Sequence, residues 1–118
     1  MAATTSAGYQ DLRDYIEANW QYIEIRDTGG AAIVRLPVSD PRVEWVHSGG
    51  AQTLQLRVVL TGSDSDVPVP VTARSSAIFK VASGGSAFGV ETLAEGDATI
   101  SADPDNITIT HSIQVPQV

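Results

Sequence analysis

The sequence predicts a mainly β, α+β domain with one N-terminal α-helix. Its antiparallel strands are expected to form a sheet or a sandwich, with the helix packed on one face. The hydrophobic period changes from 3.6 to 2 directly after Trp20. Short alternating segments then recur between turn signals rich in Gly, Pro, Asp and Asn. The chain has 118 residues, of which 42% are hydrophobic, and this is enough to form the core of one ordinary domain.

The N-terminal part of the chain predicts an arm followed by a helix. Residues 1–8 are small and mostly polar, so we expect a flexible arm there and a single domain over residues 9–118. A helix is expected over residues 9–19. Its apolar stripe consists of Tyr9, Leu12 and Ile16. Because this stripe is narrow, the helix is expected to cover a sheet from one side, with Leu12 buried.

The rest of the chain predicts strands. Alternating or strongly apolar segments lie at residues 23–25, 31–36, 43–47, 53–61, 77–82, 87–93, 98–100 and 107–115. The turn signals at residues 27–30 and 83–86 predict two hairpins. Residues 83–86, Ser-Gly-Gly-Ser, have neither the lysine nor the following helix of a phosphate-binding loop, so we interpret them as a turn.

Charge and cysteine content exclude several classes of function. The net charge is −7, and the seven Lys and Arg residues form no basic run, so we expect no direct binding of nucleic acid and no membrane partner. No apolar stretch approaches the roughly 20 residues that span a bilayer. The N-terminus lacks the basic and apolar regions of a secretory signal, which predicts a cytoplasmic protein. Cysteine is absent, so no disulfide or thiolate metal site is expected.

The residue types that carry chemistry form no recognisable motif. His47 and His111 each fall on the apolar side of a predicted strand, and we interpret both as buried or half-buried histidines with one hydrogen-bond partner. A Gly-x-Ser-x-Gly motif for a serine nucleophile is absent. We therefore expect no catalytic residue, no cofactor and no metal site, and hence no enzyme.

Two acidic turns leave one question open. Residues 64–66 and 103–106 present alternating oxygen ligands of the kind that calcium binds. Neither run has the spacing of an EF-hand loop, and Asp and Asn are also typical of solvated turns. The sequence favours solvated turns without deciding whether calcium binds.

The connection at residues 62–70 is a candidate assembly loop. It is longer than the usual hairpin loop of about 2–5 residues, and it carries two prolines and no large side chain. We expect it to be mobile and to become ordered against a partner, although a passive surface loop fits equally well. The candidate residues are Gly62, Ser63, Asp64, Ser65, Asp66, Val67 and Pro68.

Three stretches resemble small structural proteins of tailed bacteriophages and prophages. They are residues 20–27 (Trp-Gln-Tyr-Ile-Glu-Ile-Arg-Asp), 40–45 (Asp-Pro-Arg-Val-Glu-Trp) and 111–118 (His-Ser-Ile-Gln-Val-Pro-Gln-Val). Within that group, a helix followed by hairpins is similar to the tail terminators, which form a ring that caps the tail tube and joins it to the head. Tail terminators carry a second helix, whereas residues 83–95 here are Gly-rich and alternate like a strand.

The resemblance implies a virion structural protein at the tail or the head–tail junction. Such a subunit acts by protein–protein assembly with other virion proteins or with copies of itself, in a homo-oligomeric ring. It would occupy the cytoplasm of the host bacterium during assembly and then the virion. The alternative is a free-standing Ig-like module that binds carbohydrate or protein, which an exposed Trp or Tyr in a groove would favour. A pocket with a strongly perturbed acid or base would instead favour an enzyme.

Overall fold

The computed structural model describes residues 4–49, 51–93, 96–102 and 105–115. Within them, a single helix, α1 (Ser6–Asn19), precedes the strands. The strands are β1 (Tyr22–Asp27), β2 (Ala32–Pro37), β3 (Val43–Trp45), β4 (Thr53–Thr61), β5 (Val71–Phe79), β6 (Gly89–Thr92), β7 (Ala98–Ile100) and β8 (Asn106–Gln114). The protein is therefore mainly β with an N-terminal helix, which confirms the predicted fold class.

The strands form two antiparallel sheets. The first sheet has the order β2-β1-β5-β6, and β7 also pairs with β5; the second sheet has the order β3-β4-β8. The β1–β2 hairpin and the pairing of β5 with β6 agree with the two predicted hairpins. However, β5 begins at Val71 rather than at the predicted residue 77. Its first six residues, Val-Thr-Ala-Arg-Ser-Ser, contain too few large apolar residues to give an alternating pattern.

The core lies between the two sheets. Alternate residues of β1 and β4 turn inward because successive side chains of a strand point to opposite faces. The fully buried aliphatic side chains of this core include Ile23, Ile25, Leu56, Val58, Leu60 and Ile78. The burial of each such side chain contributes about 1.5–3 kcal/mol to folding. The alternation that predicted these strands therefore also identified their inward faces.

The helix begins earlier than the sequence predicted. It starts at Ser6, and the hydroxyl of Thr5 accepts a hydrogen bond from Gly8 N–H at 3.2 Å. Threonine is a favoured N-cap residue because its oxygen satisfies one of the free N–H groups of the first turn. Part of the predicted arm, residues 1–8, is thus helical, and residues 1–3 lie outside the described residues. With 14 residues, α1 is too short to cross a membrane, and the described residues contain no helix long and apolar enough for this.

The predicted burial of Leu12 is wrong. Leu12 is 48% exposed, whereas Arg13 and Ile16 are buried. The helical period was correct, but the helix turns a neighbouring stripe toward the sheets, with Arg13 in the place expected for Leu12. Arg13 can be buried because its guanidinium donates hydrogen bonds to the carbonyl oxygen of Val115 and to the side-chain oxygen of Gln10.

Candidate functional site

A groove opens beside α1, at the end of the sheets where β4 begins and β8 ends. Its volume is about 640 Å³. We call it the helix groove; the residues that line it include Ile16, Trp20, Phe88, Val90, His111 and Val115. The groove lies between the end of the helix, at Ile16 and Trp20, and the edge strands β6 and β8.

Two aromatic side chains, Trp20 and Phe88, line this groove, and Lys80 and Tyr15 lie next to Phe88. The rings of Trp20 and Phe88 stack with centroids 5.3 Å apart. Lys80 Nζ lies 5.4 Å from the centroid of Phe88, and it donates a hydrogen bond to Tyr15 Oη at 2.6 Å. We call Tyr15, Trp20, Lys80 and Phe88 the aromatic rim. Tyr15 and Phe88 are both about half exposed, and the nearby Val90 is 60% exposed. Such a concentration of exposed apolar surface is characteristic of binding surfaces.

His111 lies at the bottom of the helix groove. It is almost fully buried, and its Nδ1 lies 2.6 Å from the hydroxyl oxygen of Ser76 on β5. Burial lowers the pKa of the imidazole because the charged form loses hydration, and the nearby carboxylate of Glu91 opposes this shift. A Cβ atom at Gly89 would lie 3.3 Å from Nε2 of this ring, so glycine allows the close approach of β6. The predicted buried histidine with a hydrogen-bond partner is thus present in β8.

The Ser76–His111 pair does not have the arrangement of a catalytic pair. A serine nucleophile must reach its substrate, but Ser76 has no solvent-exposed surface. The nearby carboxylate of Glu91 accepts a hydrogen bond from the backbone N–H of Ser112 at 2.6 Å, and it does not orient the imidazole. The pair therefore satisfies two buried polar groups and joins the first sheet to the second.

His47 lies elsewhere than the sequence predicted. β3 ends at Trp45, so His47 belongs to the following segment and not to the apolar side of a strand. Its Nε2 lies 2.8 Å from the Glu17 carboxylate of α1, and its Nδ1 accepts the N–H of Gln55 at 3.2 Å. Both ring nitrogens are occupied, and the histidine joins the helix to the second sheet.

The candidate assembly loop has more contacts than its composition predicted. Residues 62–70 were expected to be mobile because they contain no large side chain, yet Val67 is 4% exposed and packs in the core. Arg42 Nη1 donates to Asp64 at 3.2 Å, and both terminal nitrogens of Arg42 donate to Asp66, at 2.8 and 2.9 Å. Asp64 also accepts the N–H of Thr61 at 3.0 Å. A partner is therefore not needed to fix this loop.

The ion pairs of this loop shift the acidity of three carboxyl groups. Hydrogen bonds from Arg42 lower the pKa of Asp40 and of Asp66. For Asp64, the hydrogen bond from the backbone of Thr61 is the main cause of a lowered pKa, and Arg42 adds to it. The three carboxylates in turn raise the pKa of the guanidinium. We call Arg42 with Asp40, Asp64 and Asp66 the arginine cluster.

The acidic turns do not form a cation site in the part of the chain that the structure describes. No group of three or more His, Asp or Glu side chains there could hold a metal ion. In the first turn, Asp64 and Asp66 bind Arg42 instead. In the second turn, residues 103 and 104 lie outside the described residues, and Asp105 accepts the N–H of Ser101 at 2.9 Å. A turn stabilised by its own carboxylate is what Asp commonly forms.

Sequence reasoning missed the helix groove, although one signal was available. Phe88 and Val90 are two residues apart in a predicted strand, so they share a face, and both proved to be exposed.

Comparison of the chain with protein-family models, with curated proteins and with solved structures finds no match.

Proposed function

We propose that this protein is a structural subunit that acts by protein–protein assembly at the tail or head–tail junction of a phage or prophage virion. The helix groove with its aromatic rim is the observation that carries the assembly role. The resemblance of residues 20–27, 40–45 and 111–118 to phage structural proteins carries the choice of virion. Partners are other virion proteins or further copies of the chain.

The groove has the properties of a contact site for a protein partner. It is open and lined by apolar and aromatic side chains, of which Trp20 and Phe88 are already ordered by stacking on each other. Aromatic residues are enriched among the residues that dominate binding energy at protein interfaces. Because these side chains are held in place before binding, association costs less conformational entropy.

Catalysis is the less favoured role for the same groove. Its titratable group, His111, bonds to the fully buried Ser76. Burial lowers the pKa of His111, so the ring is neutral at pH 7 and fits a structural hydrogen bond. A buried, neutral histidine that bonds to a buried serine favours a structural role for this residue, and the groove is then better explained as a binding surface.

Gene order and a variant pair test the proposal. Capsid or tail genes next to the coding gene are expected. In the producing phage, Phe88→Ser should reduce the yield of joined heads and tails seen by electron microscopy. The control is Val81→Ser, which alters another exposed apolar residue that does not line the groove. Normal particle yield with both variants, or a coding gene outside any virion module, would contradict the proposal.

A free-standing binding module is the second candidate. It is favoured by Trp20 lining a groove beside the exposed Tyr15, since aromatic faces of this kind also stack on sugar rings. A glycan array separates the two proposals. Saturable binding that is lost in Trp20→Ala, together with unaffected particle assembly, would favour the module over the virion subunit.

A further inference from the structure

We propose that β8 pairs edge to edge with β8 of a second copy of this chain, about a twofold axis at Thr110. The second sheets of two molecules would then form one continuous sheet. The inference shares one premise with the proposed function, namely that a protein binds at the helix groove. It names the occupant of that site, and it does not depend on a virion role.

The hydrogen bonds of β8 determine which of its backbone groups are free. Val115 N–H donates to Gln52 O at 3.1 Å, and the register of β8 against β4 continues without a bulge. Odd-numbered residues of β8 therefore bond to β4, and even-numbered residues direct their N–H and C=O groups away from it. Ser112 follows this rule, because its N–H donates to Glu91 across the open edge. The residues with outward backbone groups are Asn106, Thr108, Thr110, Ser112 and Gln114.

Unlike the other edge strands, β8 itself carries little protection against pairing; the Glu91 carboxylate of β6 protects its edge at the Ser112 N–H. Exposed edges are normally protected by charge, by proline or by short length. β2 carries Arg35 and ends at Pro37, β3 and β7 have three residues each, and β6 has four residues including Glu91. β8 has nine residues, Asn-Ile-Thr-Ile-Thr-His-Ser-Ile-Gln, with no proline, lysine, arginine or carboxylate. Among the described strands, it is the long edge open to another strand.

The sequence of β8 is complementary to itself. A twofold axis at Thr110 places Thr110 opposite its own copy, Thr108 opposite Ser112, and Asn106 opposite Gln114. These are neutral hydroxyl and amide side chains, which pair favourably across antiparallel strands. The chain carries a net charge of −7, yet this pairing brings no carboxylate of one strand against a carboxylate of the other. A second copy therefore meets no charged side chain on the opposing strand; the negative charge near the contact is the Glu91 carboxylate beside Ser112 in each copy.

The same register explains the open groove. On the inward face of β8, Ile107 of the second copy comes opposite Ile113, and both are only partly buried in the single chain. Ile113 lines the helix groove, so Ile107 of the second copy would enter that space. Directly opposed pairs exchange two hydrogen bonds each, and because Glu91 holds the Ser112 N–H of each copy, the two strands could exchange up to about eight.

Sedimentation velocity over a concentration series tests the dimer. The wild type should show a monomer–dimer equilibrium. Thr110→Pro should raise the dimer dissociation constant at least about tenfold, because proline removes an outward N–H that bonds to none of the described residues of the monomer. Glu91→Ala should lower it, since the Ser112 N–H becomes free to pair. Thr92→Pro, at an outward-facing position of the β6 edge, is the matched control and should change nothing.

Amide hydrogen exchange locates the contact. Protection of the N–H groups of Thr108, Thr110 and Gln114 should rise with protein concentration, while that of Thr92 should not. A wild type that stays monomeric, a dimer that survives Thr110→Pro, or an equal loss in Thr92→Pro would overturn the inference. If circular dichroism shows that Thr110→Pro is unfolded, Thr110→Lys replaces it as the test variant. It places two like charges opposite each other at the axis, so it should weaken the dimer in the same way.

Failure of the β8 dimer and failure of the virion proposal give different results. A wild type that stays monomeric, together with failed particle assembly in Phe88→Ser, refutes only the β8 pairing. A wild-type dimer that Thr110→Pro disrupts, together with a coding gene outside any virion module, refutes only the virion role.

Discussion

The regions next to the two ends of β4 differ in how closely they are packed. Before β4, the helix contacts the sheets through a few long side chains, and an open groove remains beside it. After β4, the loop of residues 62–70 buries Val67 and binds Arg42 through two carboxylates. The helix thus leaves apolar surface exposed beside it, whereas the irregular loop is fixed by a buried side chain and by ion pairs. Regular hydrogen bonding within an element does not imply that the element is tightly packed, since docking depends on buried side chains.

A large effect is expected at the loop end. Val67→Ala should lower the free energy of unfolding by about 2 kcal/mol, because it removes buried methyl groups and leaves a cavity. Urea unfolding measures this change. Val69→Ala is the control; Val69 is 40% exposed, and its truncation should change stability by less than about 0.5 kcal/mol. Equal effects of the two substitutions would mean that Val67 is not packed in the core.

The second effect concerns the arginine cluster and its dependence on pH. Arg42→Met should cost about 1–2 kcal/mol at pH 7, a value kept small because the ion pairs are partly exposed to solvent. The three aspartates have lower pKa values in the folded state than when unfolded. Their contribution is therefore complete above the unfolded value of about 3.9 and is lost as the pH falls through the folded values.

Unfolding curves between pH 7 and pH 2 measure this contribution. The difference between the wild type and Arg42→Met should shrink below about pH 4, as the carboxylates become protonated. Arg57→Met is the control, because Arg57 forms a more exposed ion pair with Glu44 outside the cluster. A difference that stays constant down to pH 2 would show that Arg42 stabilises the protein through packing and not through charge.

The sequence was the best guide to those elements whose apolar residues alternate regularly. In β4 the predicted and observed strand coincide, because Leu54, Leu56, Val58 and Leu60 repeat with period 2. Prediction failed where tertiary contacts override a local pattern. The start of β5 escaped prediction because polar and small residues occupy a central strand. Arg13 displaced Leu12 because a distant carbonyl, that of Val115, accepts its hydrogen bond.

The site was harder to predict than the fold. The helix groove brings together α1, the segment before β6 and the end of β8, which are far apart in sequence. The hydrophobic period of a single segment carries no information about which distant segments it contacts. Likewise, Arg42 lies 22 residues before Asp64, so the composition of the loop alone did not show that its carboxylates had a partner. The open edge of β8 depends on the order of strands in the sheet, which single-sequence reasoning left undecided between a sheet and a sandwich.

The smallest expected effect is at the helix end. Leu12→Ala should change the free energy of unfolding by less than about 0.5 kcal/mol, because Leu12 is about half exposed and alanine is the better helix former. Ile16→Ala is the contrasting variant, since Ile16 is buried on the same helix, and a loss of about 2 kcal/mol or more is expected. Thermal and urea unfolding of both proteins measure the difference. If Leu12→Ala and Ile16→Ala destabilise the protein equally, the helix packs on the sheets with the stripe that contains Leu12. The open groove depends on the present orientation of the helix, so such a result would contradict the groove as well.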